Sequence, residues 1–172
     1  MIRQAQVSDI DAIAATYKEL FDYEDKNGST TNWRRESYPT KEVPQHYVQL
    51  GQMFVFEKDM AILASMLLNH QQGPGYESAA WSYPAKTDEV LVIHTLVVTP
   101  STSHSGLGSQ MLDFAEHWGT NHGCRSIRID TWIDNKPAKA FYLHHGFHIV
   151  GKAHVLHWGV IDEDKIFLEK LL

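Results

Sequence analysis

The stretch HTLVVTPSTSHSGLGSQM, residues 94–111, most constrains the fold of this chain. It joins an apolar run to an apolar stripe of helical spacing, through a short polar loop that ends in Gly106 and Gly108. In such a unit the first amides of the helix have no internal partners and lie at the positive end of the helix dipole. Glycines there allow close approach of a ligand, so the stretch predicts either an anion-binding turn or a tightly packed β–α turn.

Two phosphate-binding motifs do not fit these glycines. A P-loop requires a lysine after its last glycine, and no lysine follows either glycine here. A dinucleotide-binding GxGxxG motif requires a third glycine where Met111 stands. The remaining design is a helix whose first turn, built from Gly106, Leu107 and Gly108, holds a pyrophosphate with its amides. Taken alone, the two glycines favour the plain β–α turn.

The second half of the chain alternates strands and helices. VLVIHTLVV, residues 90–98, is apolar on both faces and predicts a buried central strand. The apolar stripe after it predicts a helix, and RSIRIDTW, residues 125–132, alternates as a strand should. Asp134 or Asn135 is expected to cap a second helix that ends at Gly146. FHIVGKAHVLHW and KIFLEKLL then predict a last pair of strands.

The first half predicts a short strand, two helices and a hairpin. MIRQAQ is a strand candidate, Ser8 then predicts a helix N-cap, and the helical stripe runs to Phe21. A short helix is expected over about residues 42–50, and QMFVFEKDMAILASMLLNH is typical of a hairpin with its turn at residues 57–59. The loop that follows, residues 71–89, is rich in glycine, proline and aromatics, and loops of this length are often functional.

Composition excludes several classes of protein. No apolar run is long enough to span a bilayer and the N-terminus lacks an apolar signal core, so we expect neither membrane association nor export. Cys124 is the only cysteine, which excludes an internal disulfide and favours the cytoplasm. The net charge of −6 argues against a general nucleic-acid binder. The eleven histidines are not spaced as metal ligands, so we expect no metal.

Three motifs in the second half together resemble the GCN5-related N-acetyltransferase (GNAT) superfamily. LVVTP, residues 96–100, is similar to the end of the family's central strand. SHSGLG, residues 103–108, is similar to its [QR]-x-x-G-x-[GA] acyl-CoA loop. NKPAKAFYLHHGF, residues 135–147, is similar to its N-x-x-A-x-x-x-Y-x-x-x-G-F signature. The resemblance runs from about Val90 to Gly151 and depends on the order and separation of the three motifs.

The resemblance implies that the glycine loop binds the pyrophosphate of acetyl-coenzyme A (acetyl-CoA). In such proteins the central strand separates from its neighbour, and its free main-chain groups pair with the pantetheine arm. The backbone N–H of Val98 or its neighbour would also polarise the thioester carbonyl. The cofactor contacts implied in this way are Leu96, Val97, Val98, Ser103, His104, Ser105, Gly106, Leu107, Gly108, Ser109, Asn135, Ala138 and Tyr142.

The loop departs from the family pattern at two positions. Ser103 stands where the family usually has Gln or Arg, and Ser105 stands where another basic residue often follows. Each missing charge-assisted hydrogen bond is worth about 1.5–3 kcal/mol, which a protonated His104 would offset in part. We therefore expect acetyl-CoA binding that is weaker and less salt-dependent than a basic loop would give.

Acetyl transfer from a thioester to an amine needs an acid for the leaving thiolate and, where the amine is protonated, a base. The resemblance implies that Tyr142 lies near the sulfur, and a phenol suits this proton transfer because its pKa is close to that of a thiol. His94, on the same face of the central strand as Val98, is the candidate base because histidine exchanges protons near neutral pH. Glu89 is the alternative base, and a neutral acceptor needs none. Tyr142 and His94 also fit purely structural roles.

The resemblance implies that the acceptor groove is built from the first helices and the loop before the central strand. Trp33, Tyr38 and Trp81 would line it as an aromatic wall, with nearby acidic residues attracting a cation. The same aromatics fit plain packing of these loops onto the domain. The expected partner is a primary amine of a small molecule or a peptide, and a homodimer is compatible with the sequence.

The sequence thus predicts one acetyltransferase domain over residues 1–172. The expected fold is α/β (α+β), with a mixed, mostly antiparallel sheet of six or seven strands, helices on both faces and a splayed central strand. The expected activity is acetyl transfer from acetyl-CoA to a primary amine by direct attack in a ternary complex. A transferase of a longer acyl group and a non-catalytic acyl-CoA sensor are the alternatives.

Overall fold

The structure, a computed structural model, describes residues 1–103, 105–157 and 159–172. Within these ranges the chain forms seven strands and four α-helices. The strands are β1 (Ile2–Gln4), β2 (Met53–Lys58), β3 (Ala61–Asn69), β4 (Val90–Val98), β5 (Ser126–Trp132), β6 (His148–His157) and β7 (Ile161–Leu171). The helices are α1 (Ile10–Asn27), α2 (Glu42–Gln49), α3 (Leu107–Asn121) and α4 (Lys136–His144).

The seven strands belong to one sheet of order β1-β2-β3-β4-β5-β7-β6. β4 and β5 are parallel, whereas the pairs β1–β2, β2–β3, β5–β7 and β6–β7 are antiparallel. A parallel pair needs a crossover connection, and α3 lies in the connection between β4 and β5. The predicted mixed, mostly antiparallel sheet is confirmed.

The described residues group into two compact units. The first comprises Met1–Gly28, Arg34–Leu68 and Ile93–Ala115, and the second comprises Ser29–Trp33, Asn69–Val92 and Glu116–Leu172. β4 therefore contributes Val90–Val92 to the second unit and its remaining residues to the first. The prediction of one domain over residues 1–172 stays a prediction.

The start of α1 differs from the sequence-based expectation. The helix follows a 3₁₀ turn at Val7–Asp9, so Ser8 lies inside a turn and the predicted Ser8 cap is wrong. The Asp9 carboxylate accepts the Gln6 N–H at 2.7 Å and is itself held by the Arg3 guanidinium at 2.7 and 3.0 Å. A carboxylate fixed in this way satisfies a free amide at the helix start as well as a serine hydroxyl would.

The hairpin of β2 and β3 turns at Asp59 and Met60 rather than at residues 57–59. Both residues have positive φ angles, 51° and 62°, which is the conformation of a two-residue turn that matches the twist of the strands. The side chains of Met53 and Met66 on this hairpin are fully buried together with Ile13 of α1. They form part of the core of the first unit.

The second unit has a core beneath the loop that precedes β4. Tyr76 from that loop, Val90 and Val92 from β4, and Phe167 from β7 form one buried cluster. Trp81 packs against it, with its ring centroid 5.3 Å from that of Tyr76. The glycine- and aromatic-rich loop thus folds back over the sheet of its own unit.

Candidate active site

The burial pattern and the backbone conformation of β4 both change near Thr95. Its residues Val90–Ile93 are all buried, whereas His94, Leu96 and Val98 are half-buried. Thr95 has a φ of +48°, which is rare for a β-branched residue and indicates a local distortion of the strand. Its hydroxyl is hydrogen-bonded to the phenolic hydroxyl of Tyr38, which holds the distorted residue in place. The distortion lies next to Leu96–Val98, the strand segment that the family resemblance assigned to acyl-CoA.

The parallel pairing of β4 with β5 is short. It joins Val90–Val92 to Ser126–Arg128, three residues from each strand among those the structure describes. β5 continues to Trp132 and pairs with β7 along its whole length. The residues predicted to contact the pantetheine arm, Leu96, Val97 and Val98, lie beyond this pairing and belong to the first unit.

The predicted pyrophosphate loop is a series of tight turns. The amides of Thr102, Ser103 and Ser105 donate to carbonyl groups three residues earlier in the chain, at 2.9, 3.1 and 3.3 Å. Gly106 has a φ of +76°, and a Cβ placed there would meet nothing within 4 Å. Glycine is therefore required by the backbone conformation rather than by crowding. His104, also predicted to contact the cofactor, lies outside the described residues.

Helix α3 begins directly after this glycine. Leu107 is its first residue and is buried, while Gly108 and Ser109 are half-buried in the first turn. First-turn amides have no acceptor within the helix, which is the property that anion binding uses. A carboxylate also lies at this loop, because Glu19 of α1 accepts the Ser101 N–H at 2.9 Å. A negative charge at this position is unfavourable for any anion at the predicted pyrophosphate loop.

Asn135, rather than the alternative Asp134, caps α4. Its side-chain oxygen accepts the Ala138 N–H at 3.1 Å, and Pro137 follows in the first turn, where its missing N–H costs nothing. Asn135 is 9% exposed. The cap uses the Asn135 side-chain oxygen as an acceptor for the first turn of the helix.

Tyr142 lies on α4 with its side chain almost wholly buried. Its ring contacts those of Phe141 and Phe147, with centroids 5.3 and 5.6 Å away. Burial, and secondarily the negative charge of Asp130, raise the pKa of the phenol well above its usual value. The phenol is therefore protonated at neutral pH, but its raised pKa makes it a weaker acid than a phenol whose pKa matches that of a thiol.

A buried ionic network crosses one face of the second unit's sheet. Asp130 of β5 accepts the Tyr76 hydroxyl at 2.9 Å and is paired with Lys165 of β7. Lys165 Nζ lies 3.6 Å from Glu163 Oε1, and the same oxygen lies 3.0 Å from His157 Nδ1. The buried network is thus Tyr76–Asp130–Lys165–Glu163–His157. Glu163 and Lys165 are each 5% exposed.

An ion pair lies on the same face of β5 and β7. Arg128 and Glu169 are opposite each other in the β5–β7 register, and Arg128 Nε donates to Glu169 Oε1 at 3.2 Å. The Arg128 guanidinium lies 4.2 Å from the centroid of the Trp81 ring. Beside it is a cavity of about 360 Å³, and the residues that line it are Gln72, Gly73, Tyr76, Glu77, Trp81 and Arg128.

The three aromatics predicted to line the acceptor groove have different surroundings. Tyr38 is 5% exposed and bonds to Thr95 in the first unit. Trp81 is half-buried in the second unit, where its indole N–H donates to the Tyr76 carbonyl at 2.7 Å. Trp33 is half-buried at the end of the segment Ser29–Trp33 of the second unit. Their contact with an acceptor stays a prediction.

Sequence reasoning missed the ionic face. Its residues come from the strands RSIRIDTW and IDEDKIFLEKL, which are rich in charged residues. Charged residues normally indicate a solvent-exposed face, and no local signal shows that a loop covers it. Among the described residues, no group of three or more His, Cys, Asp and Glu side chains is placed to hold a metal ion.

Comparison with known proteins identifies the class. The sequence profile of the Acetyltransferase (GNAT) family matches residues 14–147. The chain therefore belongs to the GNAT acetyltransferase family. No curated protein matches the chain. Over the residues that the structure describes, no helix is both long and apolar enough to cross a membrane.

Solved structures share the fold at low sequence identity. An N-acetyltransferase from Staphylococcus aureus Mu50 superposes with a TM-score of 0.71 at 18% identity, covering 99% of this chain and 97% of that one. A ribosomal-protein-alanine N-acetyltransferase from Brucella melitensis gives 0.70 at 15% identity, covering 100% and 99%. The protein yncA from Salmonella typhimurium, solved with its cofactor acetyl-CoA, gives 0.70 at 14% identity, covering 100% and 93%. These likenesses confirm the predicted GNAT fold.

Proposed function

We propose that this protein transfers an acetyl group from acetyl-CoA to a primary amine of a small molecule or peptide. Membership of the family supports acetyl transfer, and the yncA structure with acetyl-CoA supports the cofactor. The observation that carries the proposal is the shape of β4. Among the residues that the structure describes, the strand pairs with β5 over Val90–Val92 alone, is distorted at Thr95, and leads into the Gly106 turn at the start of α3.

Two separate segments of the chain would bind the pantetheine arm and the pyrophosphate of acetyl-CoA. Main-chain groups of Leu96–Val98 would pair with the pantetheine arm, since they follow the distortion at Thr95. The amides of Gly106–Ser109 would bind the pyrophosphate. Ser103 and Ser105 supply hydroxyls but no charge, so binding depends mainly on backbone donors. We expect moderate affinity with a shallow dependence on salt.

The reaction proceeds by direct attack. The amine nitrogen forms a bond to the thioester carbonyl carbon and loses one proton to a base or to water. The carbon–sulfur bond breaks, and the leaving thiolate takes the phenolic proton of Tyr142. The phenolate then regains a proton from solvent. His94 and Glu89 are the bases that the sequence suggests. The Glu89 carboxylate accepts the Lys86 N–H at 3.0 Å and so has a structural task in the turn before β4.

A thiol-release assay over a panel of primary amines tests this function. Wild-type protein is expected to release CoA with at least one amine and none without an acceptor. Tyr142→Phe should lower turnover about tenfold or more, while calorimetry shows unchanged acetyl-CoA binding. Unchanged turnover in Tyr142→Phe would remove that residue from the mechanism. Acetyl-CoA binding without release of CoA for any amine would instead support the sensor alternative.

A further inference from the structure

Thr95 has a backbone conformation that its own side chain opposes. Its φ of +48° lies in the left-handed region, which β-branched residues avoid because the Cβ crowds the following carbonyl group. The residue is 7% exposed, so its side chain is surrounded by protein rather than by solvent. A residue persists in such a conformation only where the surrounding structure holds it there.

Tyr38 makes a specific contact with this residue. Its phenolic hydroxyl is hydrogen-bonded to Thr95 Oγ1, and the two residues are 5% and 7% exposed. Because both hydroxyls are buried, the loss of one leaves the other without this partner and without ready access to water. The bond joins residues 57 positions apart in the chain, and both belong to the first unit.

The turn that carries Tyr38 is itself held in place. Arg34 and Tyr38 form a β-bridge in which each amide donates to the other's carbonyl group, at 3.0 and 2.8 Å. From within this turn the Arg35 guanidinium donates to Asp22 at 2.9 Å and to Asp25 at 2.7 Å, and both acceptors lie on α1. The turn is therefore closed on itself and anchored to a helix, which limits the positions open to the phenol.

The strand segment directly after Thr95 is the one proposed to bind acyl-CoA. Leu96–Val98 follow it in β4 and, among the residues described, lie beyond the pairing of this strand with β5. The two backbone dihedral angles of a residue set the direction of the peptide groups that follow it. The bond from Tyr38 thus acts on the residue next to the main-chain groups that would pair with the pantetheine arm.

We propose that Tyr38 is a positioning residue for acyl-CoA: its hydrogen bond holds Thr95 in the left-handed conformation that sets the main-chain groups of Leu96–Val98 for the pantetheine arm. This inference rests on the proposed function and deepens it. It gives Tyr38 a role different from the acceptor contact that the sequence suggested, since a buried phenol bonded to β4 is poorly placed to line an open groove. Tyr38 then acts on the binding of acetyl-CoA and not on that of the amine.

The test measures acetyl-CoA binding by calorimetry in wild-type protein and three variants. Tyr38→Phe removes only the phenolic hydroxyl and should raise the Kd for acetyl-CoA about tenfold. Thr95→Val removes the other hydroxyl, keeps the β-branched shape and should raise the Kd by a similar factor. Thr95→Gly also removes that hydroxyl, but glycine adopts a positive φ without steric cost, so its Kd should stay within about threefold of wild type.

Thiol-release kinetics separate this role from an acceptor contact. With acetyl-CoA and the primary amine that wild-type protein acetylates fastest, Tyr38→Phe should raise KM for acetyl-CoA about tenfold and leave KM for the amine within about twofold. Tyr17→Phe is the matched control. Tyr17 is a buried tyrosine of the same unit whose hydroxyl has no hydrogen-bond partner among the described residues, so this variant should leave both KM values unchanged.

Each outcome decides the inference. A wild-type Kd in Tyr38→Phe overturns it, and so does a Thr95→Gly protein that binds acetyl-CoA as weakly as Thr95→Val. A rise in KM for the amine alone overturns it in favour of an acceptor contact. If Tyr38→Phe does not fold, as judged by circular dichroism, the comparison of Thr95→Val with Thr95→Gly decides.

The same measurements separate this inference from the proposed function. If wild-type protein neither binds acetyl-CoA nor releases thiol, the proposed function fails. If it binds acetyl-CoA without releasing thiol, the Kd values alone decide the role of Tyr38. If it does both and the variants match wild type, this inference fails alone.

Discussion

Replacing Glu169 by alanine tests whether the charged face of the second unit is as tightly paired as its geometry indicates. Glu169 is 0% exposed, and its carboxylate accepts from Ser126 Oγ at 2.9 Å, Arg128 Nε at 3.2 Å and the Ser82 N–H at 2.6 Å. Glu169→Ala leaves these donors without their acceptor and the Arg128 charge without its counter-ion. Breaking a buried ion pair from one side costs about 3–5 kcal/mol.

The other partners of Arg128 place the expected loss near the lower end of that range. The guanidinium keeps hydrogen bonds of 2.8 Å to Gln72 Oε1 and of 2.8 Å to the Tyr83 carbonyl, together with the Trp81 ring at 4.2 Å. We therefore expect Glu169→Ala to lower the free energy of unfolding by about 3 kcal/mol. With a urea m value of about 2 kcal/mol/M, the unfolding midpoint falls by about 1.5 M.

Urea unfolding followed by circular dichroism measures this loss. Lys41→Met is the control, because its pair with Asp11 is 51% and 83% exposed and such a pair contributes less than about 1 kcal/mol. The double replacement Arg128→Met with Glu169→Leu should recover most of the loss, since it removes both charges. The reasoning is refuted if Glu169→Ala is no more destabilising than Lys41→Met.

Three further predictions concern the cofactor loop and the β6–β7 hairpin. In Gly106→Ala and Gly123→Ala the added Cβ has no atom within 4 Å, but alanine is placed at φ +76° and +79°, so each should lower the free energy of unfolding by about 1–2 kcal/mol, measured by thermal unfolding. Calorimetry should show weaker acetyl-CoA binding for Gly106→Ala and unchanged binding for Gly123→Ala. Glu19→Gln keeps an acceptor for the loop amide and removes a negative charge, so acetyl-CoA binding should tighten a few-fold at low salt and less at high salt. The hydrogen bond to the Asp164 carboxylate and, to a smaller extent, the charge of the Asp162 carboxylate raise the pKa of His154. Stabilisation by His154 is therefore complete below the unfolded pKa of about 6.5 and lost as pH rises through the raised folded pKa. His154→Gln should lower the melting temperature at pH 5.5 more than at pH 9, and an equal decrease at both would contradict this.

The order and type of most elements follow from local sequence patterns. β4 occupies Val90–Val98, as its apolar run predicts, and Asn135, one of the two predicted caps, caps α4 with Pro137 in its first turn. These signals are reliable because one strand or one cap depends on residues that are neighbours in the chain. The three family motifs lie in these same elements. The family could therefore be predicted from the sequence, and the match to the family profile confirms it.

Helix boundaries and backbone conformations that depend on residues distant in the chain could not be predicted from local sequence patterns. The Ser8 cap was wrong because Asp9, held by Arg3, accepts the Gln6 amide, and Arg3 is itself held by Glu57, 54 residues further along the chain. The left-handed conformation of Thr95 has no sequence signal of its own, since threonine is a typical strand residue, and Tyr38 contributes the hydrogen bond that holds it. Both outcomes depend on contacts that the tertiary fold creates.

The sequence by itself determined the element order, the family and the glycine turn of the cofactor loop, because each depends on residues close together in the chain. The tertiary structure decided which charged residues are buried. Glu163 lies in the charged run Asp162–Lys165 and Glu169 precedes Lys170, so the sequence around both favours solvent exposure, yet their bonds to Asn32 and the Ser82 amide span 131 and 87 residues. Burial depends on what covers a face, and here the covering segments come from distant parts of the chain.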